Sequence, residues 1–144
     1  MRPIYETEVH RTNEEVVCNA ITKDLNLFVQ KMPGKYSEID RCLIDDKGDI
    51  QGVTEIKCRN IAYNQYPTIM VSVSKLLAGM KYKELGLSFW LTFKYTDGIY
   101  MYMVTDPSEY DYKWGGRTAQ TRDSGDIEPM VHIPMDSYTI RLSA

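Results

Sequence analysis

The sequence lacks the features on which several common classes of protein depend. No apolar run approaches the roughly 20 residues that a helix needs to span a bilayer, and the N-terminal residues carry no hydrophobic signal-peptide core. Three cysteines without CxxC spacing indicate neither a disulfide framework nor a zinc cluster. P-loop, GxGxxG and nucleophile-elbow motifs are also missing. We therefore expect a cytoplasmic protein with no membrane partner and cysteines that are buried small hydrophobes.

Composition and charge are those of an ordinary globular protein. Of the 144 residues, 43% are hydrophobic and 26% are charged, which predicts a single domain over residues 1–144. The net charge of −3 and the isoelectric point near 5.4 argue against a protein that coats nucleic acid through bulk positive charge. They leave room for a site that requires carboxylates, because bound cations restore a local positive potential.

The most informative stretch is a predicted β-hairpin between residues 35 and 60. Two runs that mix β-branched, aromatic and polar residues, 36–44 and 50–58, flank a short acidic segment. Gly48 in that segment can adopt the left-handed conformation that such turns need. The chain should therefore fold back on itself, with the two strands antiparallel.

This hairpin would bring charged side chains together. Asp40 on the first strand should lie near Glu55 on the second, and the strand period of two places Glu55 and Lys57 on one face. Ile56 then points to the opposite face. Two carboxylates and an ammonium group that face the same way indicate a divalent-metal site with an adjacent cation.

Asp40 followed by Glu55-Ile56-Lys57 resembles the motif of the PD-(D/E)xK nuclease superfamily, with Ile39 in place of the proline. The resemblance implies an α/β restriction-endonuclease-like core, a mixed β-sheet flanked by helices in the order α-β-β-β-α-β. It also implies that Asp40, Glu55 and Lys57 are catalytic. Asp40, Glu55 and the backbone carbonyl of Ile56 would bind Mg²⁺ or Mn²⁺, since hard cations take oxygen ligands.

A helical pattern upstream of the hairpin supplies a further candidate ligand. We predict an irregular arm over residues 1–11 and then a helix that starts at Thr12 and runs to about Leu27. Glu14 lies towards the buried face of this helix, and the resemblance makes it an additional metal ligand. Glu15 points outwards and can complete a capping box. The alternative is that both are first-turn acids favoured by the helix dipole.

Basic residues downstream are candidates for contact with nucleic acid. Arg59 follows Lys57 on the same face of the strand, and Lys75 lies in the first turn of a second predicted helix that Ser72 or Ser74 can cap. The resemblance places this first turn beside the active site. Two strand-like runs joined by Asp97-Gly98 then predict a second hairpin that completes the central sheet.

The last third of the chain changes character. Residues 106–129 show no periodicity and are predicted to form an irregular loop, in which Arg117 and Arg122 could bind phosphate. Trp114 could stack on a base or anchor the loop. Residues 130–142 alternate loosely and are predicted to form an edge strand.

The resemblance implies a small phage- or repair-type endonuclease or resolvase that hydrolyses phosphodiester bonds of DNA with Mg²⁺ or Mn²⁺. It would act in the cytoplasm of the host cell if the protein is viral. Structure-selective cutting by a homodimer, nicking and exonuclease action all remain open. The main alternative is a non-catalytic binding module that keeps the fold and acts through protein or nucleic-acid contacts. A third is a metal-dependent phosphohydrolase that acts on nucleotides.

Overall fold

Two helices cover opposite faces of a six-stranded mixed β-sheet in the computed structural model of the protein, which describes residues 4–33, 38–116, 127–134 and 139–143. A 3₁₀ turn lies at Pro107–Glu109. The helices and strands, in chain order, are α1 (Ile4–Leu25), β1 (Phe28–Lys31), β2 (Arg41–Ile44), β3 (Ile50–Cys58), β4 (Thr68–Ser72), α2 (Val73–Glu84), β5 (Ser88–Tyr95), β6 (Gly98–Met103), β7 (Asp111–Gly116), β8 (Ile127–Pro134) and β9 (Thr139–Leu142). Neither helix is long and apolar enough to cross a membrane, within these described residues.

The central sheet has the strand order β1-β2-β3-β5-β6-β9. All neighbouring strands in it are antiparallel except β3 and β5, which are parallel. The parallel pair requires a crossover, and β4 followed by α2 makes this connection. β4 also forms a second, antiparallel sheet in the order β4-β8-β7. The predicted α/β class, with a mixed sheet flanked by helices, is confirmed. Three strands of the central sheet, β1, β2 and β3, precede α2, and β4 of the second sheet precedes it as well.

Alternate residues of the central strands divide the core into two parts. Val17 and Ile21 of α1 pack on one face of the sheet, against Ile56, Ile99 and Met101. The other face packs against α2 and against the inner side of the second sheet. That larger cluster includes Val53, Leu76, Phe89, Leu91, Phe93, Val71 and Val131.

The predicted hairpin of β2 and β3 is confirmed, with changed limits. The first strand begins at Arg41, and residues 36 and 37 of the predicted strand lie outside the described residues. Gly48 has a φ of 88°, as the turn requires. The expectation that all cysteines are buried is wrong for Cys58, which is exposed at the end of β3.

The predicted irregular arm over residues 1–11 is wrong for residues 4–11, because α1 already begins at Ile4. No glycine or proline occurs between Ile4 and Leu25, so nothing in the sequence stops a helix from extending ahead of Thr12. The capping role predicted for Thr12 is therefore wrong as well, since this residue lies inside the helix.

The predicted loop over residues 106–129 is also wrong in part. Residues 111–116 form β7, which pairs with β8, and residues 117–126 lie outside the described residues. The predicted edge strand over residues 130–142 is two strands, β8 in the middle of the second sheet and β9 at the edge of the first. Pro129 and Pro134 do not prevent the pairing of β8, because each lies where only one neighbouring strand pairs with it.

A close contact between α2 and β5 generates a prediction about stability. A methyl group on Gly79 would come within 2.1 Å of the ring of Phe89, a side chain with 0% exposure. We expect Gly79→Ala to lower the free energy of unfolding by about 1–3 kcal/mol in urea denaturation, because overpacking outweighs the better helix propensity of alanine. Leu77→Ala is the control: Leu77 is 59% exposed on the same helix, and its loss should change stability by at most about 0.5 kcal/mol. An unchanged Gly79→Ala variant would contradict the packing described.

Candidate active site

β2 is short and begins only at Arg41, so the last part of β3 has no paired neighbour on that side among the described strands. The pairing of β2 with β3 ends at Arg41 opposite Thr54, whereas β5 pairs with β3 as far as Cys58. Among the described residues, no strand pairs with the β2 side of β3 beyond Thr54. Asp40 lies just before β2, beside this open edge, and its backbone N–H donates a hydrogen bond to Oε2 of Glu55 over 3.3 Å. The structure thus brings the Asp40 backbone to the Glu55 carboxylate, as the predicted hairpin requires.

The Glu55 side chain is only 1% exposed and is surrounded by positive charge. Its Oε1 atom lies 3.3 Å from Nζ of Lys57 and 3.5 Å from Nζ of Lys75. A carboxylate removed from water is destabilising unless ion pairs and hydrogen bonds replace its hydration. The two ammonium groups and the Asp40 N–H provide these partners on both oxygens.

Lys75 reaches Glu55 because α2 begins directly after β4. Ser72 is the N-cap of α2, as predicted, and its hydroxyl accepts a hydrogen bond from the backbone N–H of Lys75. The Lys75 ammonium also donates to the backbone carbonyl of Glu38, at 2.5 Å. It therefore joins the segment before β2 to the buried carboxylate. Sequence reasoning placed Lys75 in the first turn of a helix near the site, but no local pattern indicated its contacts with Glu55 or Glu38.

The main-chain carbonyl of Ile56 faces the open edge of β3. The backbone N–H of Arg59 donates to the carbonyl of Lys94 on the β5 side, over 2.8 Å. Backbone groups of successive strand residues alternate in direction, so the Ile56 carbonyl points to the other side, towards Asp40. Mg²⁺ commonly binds through one or two carboxylates and retains several waters. Two carboxylates and one carbonyl fit that requirement, although no group of three or more His, Cys, Asp or Glu side chains forms a metal cluster in the described part of the chain.

Glu14 lies on the α1 side of the sheet, away from this group. Its Oε2 atom is 2.6 Å from Nη2 of Arg41. Arg41 is the Cα partner of Thr54, so both point to the face opposite that of Glu55. The structure pairs Glu14 with Arg41 and does not bring it to Asp40. The sequence contained no signal for this pairing, because the two residues lie 27 positions apart.

The predicted nucleic-acid contacts are distributed unevenly. Arg59 is exposed two residues after Lys57, and its guanidinium carbon lies 6.0 Å from the centre of the Phe93 ring. Arg117 and Arg122 lie outside the described residues. Trp114 is 75% exposed on β7. Arg59 and Lys75 are therefore the predicted cationic contacts that the structure places on the Glu55 side of the sheet.

Comparison of the sequence with models of protein families identifies the family of this chain. Residues 1–140 match the model of a family described as "Phage putative PDDEXK endonuclease". The chain belongs to this family. No curated protein and no solved structure matches the sequence. Membership in the PD-(D/E)xK nuclease superfamily, expected from Asp40, Glu55 and Lys57, is confirmed. The match covers both helices and, apart from the last two residues of β9, the strands of the central sheet, so the restriction-endonuclease-like fold class is confirmed with it.

The charges around Glu55 in this PD-(D/E)xK protein predict a non-additive effect of two lysine substitutions. Lys57→Met or Lys75→Met alone should lower the free energy of unfolding by about 1 kcal/mol, because the other ammonium still faces Glu55. The double variant should lose about 3 kcal/mol or more, since it leaves the buried carboxylate without a cation. Urea denaturation of the wild type, the two single variants and the double variant measures the coupling energy between the two lysines.

One control variant and one mutant background test this interpretation. Lys81→Met removes an exposed lysine of α2 and should change stability little. In a Glu55→Gln background the coupling between the two lysines should fall towards zero, because the shared charge is gone. Simple additivity in the presence of Glu55 would show that the ion pairs do not stabilise the buried carboxylate.

Proposed function

We propose that the protein is a metal-dependent deoxyribonuclease that hydrolyses phosphodiester bonds. The observation that carries the proposal is the buried Glu55 carboxylate, hydrogen-bonded to the Asp40 backbone and paired with Lys57 at the open edge of β3. A buried charge cluster is a poor way to stabilise a sheet, since an apolar residue of similar volume often does as well or better. Its presence there favours a chemical role over a structural one.

Asp40, Glu55 and the carbonyl of Ile56 are the residues proposed to hold Mg²⁺ or Mn²⁺. Such an ion would be a Lewis acid, able to lower the pKa of a water molecule and to neutralise phosphate oxygens. Burial restricts the Glu55 side chain, and the backbone of Asp40 is hydrogen-bonded to the Glu55 carboxylate. A buried ligand on a strand that is bonded to the neighbouring segment supports a preorganised site, which would reduce the reorganisation that catalysis requires.

Lys57 is the proposed catalytic cation. Hydrolysis forms a bond from the water oxygen to phosphorus and breaks the bond to the leaving sugar oxygen, which takes up a proton. An ammonium 33% exposed and adjacent to Glu55 can orient the attacking water or stabilise the charge that develops on the phosphate oxygens. Lys75, 29% exposed, adds a second cation from α2.

The remaining predicted residues would act on the DNA or as further ligands. Arg59 is proposed to bind a phosphate beside the scissile one, and Arg117 and Arg122 are proposed to bind phosphates from their loop. Glu14 is a further candidate ligand, but it would have to leave Arg41 to contribute. Selectivity for branched, nicked or linear DNA and the formation of a homodimer stay predictions.

The first experiment tests cleavage itself. Linear, nicked and branched DNA should be cut by the wild-type protein with Mg²⁺ or Mn²⁺ and not with EDTA. Asp40→Ala should abolish cleavage, because it removes a proposed metal ligand. Lys57→Ala should lower the rate at least about 10²-fold while metal binding persists. Gel assays of product formation under single-turnover conditions measure both effects.

Lys81→Ala is the matched control for Lys57→Ala, because it removes an exposed lysine from α2. Full activity in Lys57→Ala would contradict its catalytic role. A wild-type protein that folds but cuts no DNA and binds no metal would favour the non-catalytic binding module. Hydrolysis of nucleotides without cleavage of polymers would favour the other phosphohydrolase.

The proposed ligands make a separate prediction about metal binding. Glu55→Gln should abolish the binding of Mn²⁺ seen by isothermal titration calorimetry, because it removes a buried anionic ligand. Glu14→Gln should weaken binding much less, since Glu14 pairs with Arg41 on the other face of the sheet. An equal loss of Mn²⁺ affinity in the two variants would show that Glu14 is as important a ligand as Glu55 and that α1 rearranges when metal binds.

A further inference from the structure

A cavity of about 500 Å³ opens beside the proposed active site, on the same face of the central sheet. Aromatic and aliphatic side chains form most of its lining, with two basic groups among them. Its lining includes Arg59, Ile61, Tyr66, Phe93, Tyr95 and His132. The size and the predominantly apolar surface are those of a site for a small organic group.

The cavity lies next to the proposed catalytic residues along β3 and β5. Phe93 lies directly opposite Lys57 in the pairing of β3 with β5. Arg59 follows Lys57 by two residues, so it stands about 6–7 Å further along the same face. A substrate strand with its scissile phosphate at Lys57 would therefore have its neighbouring nucleotide at the cavity mouth.

The chemistry of the lining matches a nucleobase. Phe93 and Tyr95 are 2% and 6% exposed and form rigid walls, whereas Tyr66 is 56% exposed and accessible for stacking. Tyr95 brings a hydroxyl to the lining, and burial raises the pKa of this group. The imidazole of His132 approaches the Thr68 hydroxyl to 3.3 Å with one ring nitrogen. Flat apolar surfaces, a few polar groups and Arg59 for the attached phosphate are what an unstacked nucleotide requires.

We propose that this cavity accepts one unstacked base of the substrate strand next to the scissile phosphate. The inference rests on the proposed nuclease function and names the class of its substrate, which is DNA with an unpaired or weakly paired nucleotide at the cutting site. Extruding a base from an intact duplex costs a few kcal/mol, and an unpaired base avoids that cost. The cavity thus selects for local disruption of the duplex without reading its sequence.

The test measures binding apart from cleavage. The full chain is titrated in EDTA with two labelled duplexes of one sequence, one fully paired and one with a single unpaired nucleotide, and affinities are read by fluorescence anisotropy. We expect the duplex with the unpaired nucleotide to bind at least about tenfold more tightly than the fully paired duplex. Base–aromatic stacking supplies enough free energy for this difference. With 2-aminopurine as the unpaired base, stacking in the cavity should quench its fluorescence.

Two variants alter the cavity without touching the proposed catalytic residues. Tyr66→Ala removes an exposed stacking surface, and Met70→Trp adds bulk at a lining residue that is 44% exposed. Both should lose most of the preference and of the quenching. Tyr112→Ala is the matched control, because Tyr112 is 48% exposed on β7 and does not line the cavity. It should keep the full preference.

The outcomes separate this inference from the nuclease proposal. Equal affinity for the two duplexes, or a preference that Tyr66→Ala and Met70→Trp both keep, overturns the base cavity even if the protein cuts DNA with metal. A preference that both variants lose and Tyr112→Ala retains supports the cavity, even if no DNA is cut and the nuclease proposal fails. Absence of binding to either duplex overturns the inference as well.

Discussion

The structure depends on a carboxylate, that of Glu55, held almost fully out of water in the middle of a β-sheet. An ionised group at such a position is tolerated only with close partners of opposite charge and with hydrogen bonds to both oxygens. Three separate parts of the chain supply these partners: the segment before β2 through the Asp40 N–H, β3 itself through Lys57, and α2 through Lys75. The charge therefore links the strand to elements on either side of it in the chain.

The topology makes this arrangement possible. Because β3 and β5 are parallel, the chain must leave the sheet and return, and β4 and α2 form that crossover. α2 then lies over the face from which Glu55 projects, with Lys75 in its first turn. β2 begins only at Arg41, opposite Thr54, so the backbone groups of β3 beyond Thr54 face a gap on that side. A longer β2 would pair with this edge and occupy the backbone groups that the proposed metal site needs.

Local charge outweighs the overall charge of the molecule in this region. The protein carries a net charge of −3, yet Lys57, Arg59 and Lys75 are concentrated on one side of the central sheet. The acidic surface elsewhere disfavours nonspecific coating of DNA, while the local cations favour contact at one place. The adjacent apolar cavity adds a site of defined size beside these cations. The proposed recognition of an unstacked base would make binding at this face depend on the conformation of the nucleic acid.

Local patterns in the sequence determined the hairpin, the alignment of Glu55 with Lys57 and the cap of α2. Each depends on residues within a few positions of one another, where strand periodicity, turn residues and capping chemistry act directly. The spacing of Asp40 and Glu55 was also readable, because one short turn connects their strands. The full extent of α1 was missed, since helix propensity without a clear apolar stripe gives a weak signal ahead of Thr12.

Only the tertiary structure decided which distant groups meet. The pairing of Glu14 with Arg41, the contact of Lys75 with Glu55 and the second sheet of β4, β8 and β7 join residues far apart in the chain. β7 carries exposed residues without apolar alternation, so nothing in its own sequence distinguishes it from a loop. Such contacts are set by the packing of whole elements, which no local pattern encodes. The chain itself determined the chemical groups of the site, and the fold determined which of them share one face of the sheet.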